Sequence, residues 1–524
     1  MSKKTIIQYF LFFIYIVFTT YCCYGNESSN LKLFIISLIT FVLFTSVRVI
    51  SKKIYIFFLI LLGIEIIFYY PFTKFFSTLQ EHHLVALIYT DLEETKSYLK
   101  IFDFVTIISI LGLVIPLFYF KNLPSVTLSK KQSYFIVFLS IIILPALSNI
   151  YSILYKHNHQ LKVNEIHRNV FIRPLRLFIN LSEKSYFLYQ NIQFQNHVKS
   201  VPPNWTILDA EKDKDIYVFI IGESVRKDFM QIYNPSLKNT PFLDSIPKLK
   251  FNAVTAYAGN TIESLSNAFI QNKGYLFFPN NVVTLAQKNG YAVDWISNQG
   301  SLGKHDNQIA SIAKLANSIK FITKGVYTTH KDDLDLLPLF NEALSDSNTP
   351  KIIFLHTIGS HPSPCDITKG KYDTKYKSED ISCYIQSIKD TDAFIAEIYK
   401  SLIKSKKTFK IVYFSDHGLT IKKNVSLIKN NTFIESNSLH HDEYFKENYD
   451  IPLVILDDEY KSTSQINARR NLKDFLLLYS ELLKIKTKEI KSPFTFISDD
   501  IQTNADSLFN NKYYPKLKNN IYEF

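Results

Sequence analysis

The chain has 524 residues, enough for two or three domains, and shows no internal repeat or low-complexity block, which excludes a repeat array. Lys and Arg total 59 against 47 Asp and Glu, a net charge of +12. Part of that surplus sits in short loops between apolar runs, so it points to a surface beside anionic lipid or to plain solubility, and not to a nucleic-acid partner.

Five long apolar stretches fill the first third: 5–22, 33–50, 54–71, 101–120 and 133–153. Each approaches the roughly 20 residues that a helix needs to cross a bilayer. A cleaved signal peptide would explain the first run but not the other four. Lys3 and Lys4 precede the first run, Arg48, Lys52 and Lys53 separate the second from the third, and Lys121, Lys130 and Lys131 separate the fourth from the fifth. The intervening loops are poor in basic residues or mixed, so the positive-inside rule puts the amino terminus in the cytoplasm. Five crossings then put everything after about residue 154 outside. Glu65, inside the third run, is costly in lipid; it either faces other helices or the donor, or lies near enough to the interface to be wetted. The 33 Tyr and 43 Phe fall mostly in membrane runs and strands, where packing and interfacial belts explain them.

Residues 156–210 are polar, basic and aromatic, with Pro174, Pro202 and Pro203, and read as a linker near the membrane. From 211 to about 500 the texture is strand alternating with helix. Strand runs lie at 216–221, 292–297, 351–356, 409–415 and 451–456, with helical patterns at 281–290, 307–320, 384–404 and 469–485. That alternation predicts an α/β domain with a mainly parallel sheet covered on both faces. The polar tail, 501–524, offers little chemistry. Cys22 and Cys23 end the first membrane run; Cys365 and Cys383 lie in the exported part, where an oxidising compartment favours a disulfide between them.

Three strand ends carry the chemistry. The run 216–221 leads to Glu223, 409–415 leads to Asp416-His417-Gly418, and 351–355 leads through His356 to His361. Ligands of open α/β sheets collect at the carboxyl ends of strands. Two carboxylates with two or three imidazoles there suit a divalent metal such as zinc. Taken singly, a Glu at a strand end also reads as a helix cap, and Thr261 reads as an N-cap with Ser264 in the first helical turn.

The ordered set "GESVR" (222–226), "NTPFLDS" (239–245), "NTIESLSNA" (260–268), "LHTIGSHPSPC" (355–365) and "SDHG" (415–418) resembles the membrane-anchored phosphoethanolamine transferases of the alkaline phosphatase and sulfatase superfamily. The resemblance spans nearly the whole chain. It implies five membrane helices in the bacterial inner membrane and a periplasmic catalytic domain. It implies Glu223, Asp416, His417 and Thr261 as ligands of one zinc ion, with Thr261 also the nucleophile of a phospho-enzyme. His361 matches a histidine that binds the phosphoryl group or a second zinc. Ser224 is the rival nucleophile, as in a Glu-Ser hydrolase site, but the family places its nucleophile downstream.

In "SLHHDEYF" (438–445), His440 or His441 fills a further histidine position of the family, with His441 favoured as a catalytic group; directly before Ile451-Pro452 stands Asp450, a departure from some members. In "ALIYTDLEETKSYL" (86–99), Thr90 and Glu94 match a helix that helps bind the lipid donor, four apart and so on one face. Ala86 replaces the family's asparagine, which suggests a branch acting on core sugars. The implied donor is phosphatidylethanolamine and the implied acceptor lipopolysaccharide, through lipid A or a core sugar. The alternatives are a phosphoglycerol transferase of the same superfamily or a sulfatase- or phosphatase-type hydrolase. The Cys/Ser-x-Pro-x-Arg motif of sulfatases is absent from the sequence.

Overall fold

Apolar runs in the first third form helices, since a backbone in hydrocarbon must satisfy its own hydrogen bonds. The computed structural model describes residues 2–25, 29–76, 104–151, 170–299, 307–323, 331–346, 350–429, 432–502 and 504–524. Two units are distinct, Met1–Phe194 and Gln195–Phe524.

The first unit contains α1 (Lys3–Tyr24), α2 (Asn30–Ile50), α3 (Lys52–Phe76), α4 (Phe104–Phe120) and α5 (Lys130–Tyr151), the last with a π turn over Leu139–Ile143. Among the described residues α1, α2, α3 and α5 are long and apolar enough to span a membrane, while α4 is shorter at 17 residues. Helix α6 (Arg173–Ser200) follows.

The structure resolves the position of Glu65. It is fully buried, accepts a hydrogen bond from Tyr24 Oη at 2.7 Å, and pairs with Arg173 Nε at 3.1 Å. Arg173 in turn donates to Thr19 Oγ1 at 2.5 Å. A charge in an apolar bundle survives when it is matched and hydrogen-bonded, and Arg173 supplies both.

The second unit is built on eight strands: β1 (Ile216–Gly222), β2 (Leu249–Phe251), β3 (Ala292–Ser297), β4 (Ser318–Phe321), β5 (Lys351–His356), β6 (Phe409–Ser415), β7 (Leu453–Asp457) and β8 (Ser464–Ile466). Their order across the sheet is β8-β2-β7-β6-β1-β5-β3-β4. From β6 to β4 all neighbours are parallel. Strand β1 is buried along its length and alternates its side chains: Tyr217, Phe219 and Ile221 join the core on one face, Ile216, Val218 and Ile220 the core on the other. This two-sided burial is why the run reads as continuously apolar.

Two expectations needed correction. The run at 451–456, expected within the parallel set, forms β7, which runs antiparallel to β6. The described chain between them forms an antiparallel ribbon, Thr420–Lys429 with Thr432–His440, and a 3-10 turn at Lys446–Asn448; it has no helix to carry a parallel crossover. The pattern read as one helix over 307–320 is a short helix, Asn307–Ala313, followed by β4. Asn317 makes the break, its side chain accepting from the Val293 N–H at 2.9 Å and its own N–H donating to the Val293 carbonyl at 2.8 Å.

If Glu65 and Arg173 neutralise each other, removing one partner is worse than removing both. Arg173→Met should destabilise the detergent-solubilised chain by about 3–5 kcal/mol, and adding Glu65→Leu should recover most of that. Thermal melts of the single and double variants check this; a double variant no better than the single would contradict it.

Candidate active site

Because β6, β1 and β5 are parallel and in register, with Ser415 opposite Gly222 and Ile221 opposite His356, their carboxyl ends open on one edge of the sheet. Glu223 and Asp416 are therefore carried to the same level. Glu223, Asp416 and His417 each offer a ligand atom within 4.8 Å of the others, and all three are buried. His417 Nε2 lies 3.6 Å from Glu223 Oε1 and 3.3 Å from Asp416 Oδ2. Its Nδ1 is 2.7 Å from the Gly418 carbonyl, which fixes the ring and leaves Nε2 facing the carboxylates.

Thr261 completes the group. It is the first residue of α7 (Thr261–Phe269), and its N-cap is Asn260, whose side chain accepts from the Glu263 N–H at 3.1 Å. With Asn260 doing the capping, the Thr261 hydroxyl is left for the site. It lies 3.3 Å from Glu223 Oε2 and 3.4 Å from His417 Nε2, at a helix N-terminus that favours anions.

The electrostatics call for a cation. Burial and the Asp416 charge hold the Glu223 carboxyl well above its usual range. For Asp416 burial works in the same direction, but the His417 ring and the N–H groups of Ser224 and His417 outweigh it and keep the carboxyl low. Asp416 Oδ2 is buried and has no hydrogen-bond partner among the described residues. Two carboxylate groups, one imidazole and one hydroxyl, with an oxygen lacking a partner, fit zinc as a donor set.

Ser224 is already committed. It sits at φ 61°, unusual for a residue other than glycine, and is fully buried. Its hydroxyl donates to Glu223 Oε1 at 2.7 Å, its N–H to Asp416 Oδ1 at 2.9 Å, and its carbonyl accepts from Tyr384 Oη at 2.7 Å. It orients both carboxylates and is poorly placed to attack anything.

His441 is brought beside His417, ring centroids 4.8 Å apart, with Nδ1 3.2 Å from the Gly259 carbonyl. Burial of its ring and then the neighbouring His417 push its pKa down to about 3, which holds the imidazole in its neutral form. His440 instead ends the ribbon opposite Thr420. His361 is half-buried and close enough for its charge to act on His441. His356 stays in the core in a T-shaped contact with Trp295, and burial pushes its pKa down to about 4. Asp450 accepts from Tyr514 Oη at 2.8 Å. Cys365 and Cys383 are joined as a disulfide, Cα atoms 5.0 Å apart. Thr90 and Glu94, with Ala86, lie outside the described residues.

Two supporting residues had no sequence signal. Gln299 donates to Glu223 Oε2 at 3.2 Å and to the Thr357 carbonyl at 2.8 Å. Asp333 accepts from the Ile358 and Gly359 N–H groups, each at 2.9 Å, and so shapes the loop before His361. Gly359 is required there: its φ is +50°, and a Cβ would come within 3.0 Å of the Glu223 backbone.

A sulfatase family profile matches residues 215–484, just over half of the sequence, and the chain belongs to that family. It is 36% identical over 301 residues to the phosphoethanolamine transferase OpgE of Escherichia coli, covering 56% of this chain and 55% of that one. It is 25% identical over 249 residues to the phosphoethanolamine transferase EptC of the same species, covering 43% of each. The chain thus matches about half the length of these relatives or less. The lipooligosaccharide phosphoethanolamine transferase A of Neisseria meningitidis, an integral membrane protein, shares the fold over 94% of this chain and 97% of its own, with a TM-score of 0.51 at 14% identity.

Zinc at a thousandfold excess over its dissociation constant should stabilise the metal-stripped chain by about 4 kcal/mol. Asp416→Asn should lose most of that gain. A melting shift of equal size in the variant would show that zinc binds elsewhere.

Proposed function

We propose that the chain is a metal-dependent phosphoethanolamine transferase that moves the head group of phosphatidylethanolamine to lipopolysaccharide, through a lipid A or core-sugar group. The observation that carries this reading is the Thr261 hydroxyl, held at a helix N-terminus within 3.5 Å of both Glu223 and His417. A bacterial inner-membrane location, with residues 1–155 as five spans, 156–210 as linker and a periplasmic catalytic domain over 211–500, is part of the same proposal and is supported by the loop charges.

Glu223, Asp416, His417 and Thr261 would hold one zinc ion. When bound, zinc lowers the hydroxyl pKa of Thr261 and neutralises charge on phosphoryl oxygens. In the first half-reaction Thr261 Oγ1 bonds to the donor phosphorus and gives up its proton. The phosphorus–oxygen bond to diacylglycerol breaks, and the diacylglycerol oxygen gains a proton. In the second, an acceptor hydroxyl bonds to phosphorus and loses its proton while the bond to Thr261 breaks and Thr261 is reprotonated. His441, beside His417, is the proton carrier, and His361 steadies the group in transit. The N-terminus of α7 would favour the negative charge of the phosphoryl group.

Thr261→Ala should abolish transfer, a loss of about 10⁴-fold or more if Thr261 is the nucleophile. Mass spectrometry of lipopolysaccharide from cells carrying either form reads this directly. Equal addition of phosphoethanolamine in both would remove Thr261 from the reaction.

A further inference from the structure

Three loops must meet for the site to form: the turn after β1 with Glu223, the turn after β6 with Asp416 and His417, and the entry to α7 with Thr261. All three are tied to one residue of the carboxyl-terminal segment, Asn520. Its side-chain oxygen accepts from Arg226 Nη1 at 3.1 Å and from the Ile421 N–H at 2.7 Å, and its Nδ2 donates to the Ile421 carbonyl at 2.9 Å. Its backbone carbonyl accepts from Arg226 Nη2 at 3.0 Å, and its backbone N–H donates to Glu447 at 2.6 Å.

Each contact leads to a metal-bearing loop. Arg226, three residues after Glu223, is fully buried; it also donates to the Leu419 carbonyl at 3.3 Å, and its N–H donates to Tyr384 Oη at 2.9 Å, the hydroxyl that holds Ser224. Ile421 lies four residues after His417. Glu447 adjoins Asn448, whose carbonyl accepts from the Gly418 N–H at 3.0 Å and whose Nδ2 donates to the Gly259 carbonyl at 3.2 Å, two residues before Thr261. The packing at this junction is tight: a Cβ at Gly418 would collide with the Glu447 carbonyl and come within 3.3 Å of Arg226.

We propose that Asn520 is a positioning residue for the metal centre, setting the mutual register of the three ligand-bearing loops through Arg226, Ile421 and Glu447. The inference rests on the reading of Glu223, Asp416, His417 and Thr261 as a zinc site. Partners behind metal ligands commonly contribute 10–100-fold in affinity because they fix ligand orientation. Asn520 would act at one remove further, on the loops themselves.

The test is Zn²⁺ binding by the full chain in detergent, stripped of metal and titrated against a competing chelator. It is run well below the melting midpoint of the metal-free protein, so that lost global stability alone leaves the affinity unchanged. The wild type should bind one zinc per chain, and Asn520→Ala should bind it at least tenfold more weakly. Asn520→Ala with wild-type affinity, whatever its melting midpoint, overturns the proposal while the zinc reading stands. Failure of the wild type to bind zinc overturns both. If Asn520→Ala does not fold, Asn520→Gln, which keeps the amide but moves it by one methylene, should show the weakened affinity; unchanged affinity there overturns the proposal equally.

Discussion

Two carboxyl groups buried side by side are the constraint on which the catalytic unit depends. Glu223 and Asp416 are 1% and 0% exposed, and among the described residues the only ionisable base paired with them is His417. Like charges in a low-dielectric setting raise each other's proton affinity, and such a pair survives only if protonated or bridged by a cation. The membrane unit meets a comparable difficulty differently: Glu65 is matched by Arg173 from within the chain. At the catalytic edge no Lys or Arg plays that part among the described residues, so the charge is left for something brought in.

The surroundings serve that arrangement. Parallel register puts the two carboxylates level, Ser224 in its left-handed conformation binds both, and Gln299 braces the second oxygen of Glu223. Asn260 takes over the capping of α7, which leaves the Thr261 hydroxyl facing Glu223 and His417. These contacts fix the positions of Glu223 and Asp416, and preorganisation of this kind is what the proposed catalysis would draw on.

Legibility in the sequence followed the range of the interaction. Glu223, Asp416 and His417 could be read because each closes a buried strand, and an apolar run ending in charge is a local pattern. The apolar runs that form helices α1, α2, α3 and α5 were legible for a similar reason, being local and continuous. Strand direction was not, since an apolar run such as 451–456 reads alike in either sense; only the missing helical crossover makes β7 antiparallel. Arg173 as the partner of Glu65 lies 108 residues away and carries no motif. Gln299, Asp333 and Asn520 act through single amides or carboxylates on distant backbone groups. Nothing periodic marks them, and the tail holding Asn520 looked merely polar. The choice between His440 and His441 also needed coordinates, because the two are adjacent in sequence, yet His440 ends the ribbon while His441 lies beside His417.

The central claim is that Glu223, Asp416, His417 and Thr261 form one coordination sphere. X-ray absorption at the zinc edge of the purified chain tests it most directly. The account expects about one zinc per chain with a first shell of oxygen and nitrogen at about 2.0–2.2 Å and a single imidazole. A shell containing sulfur at about 2.3 Å, or one with several imidazoles and no carboxylate, would contradict it.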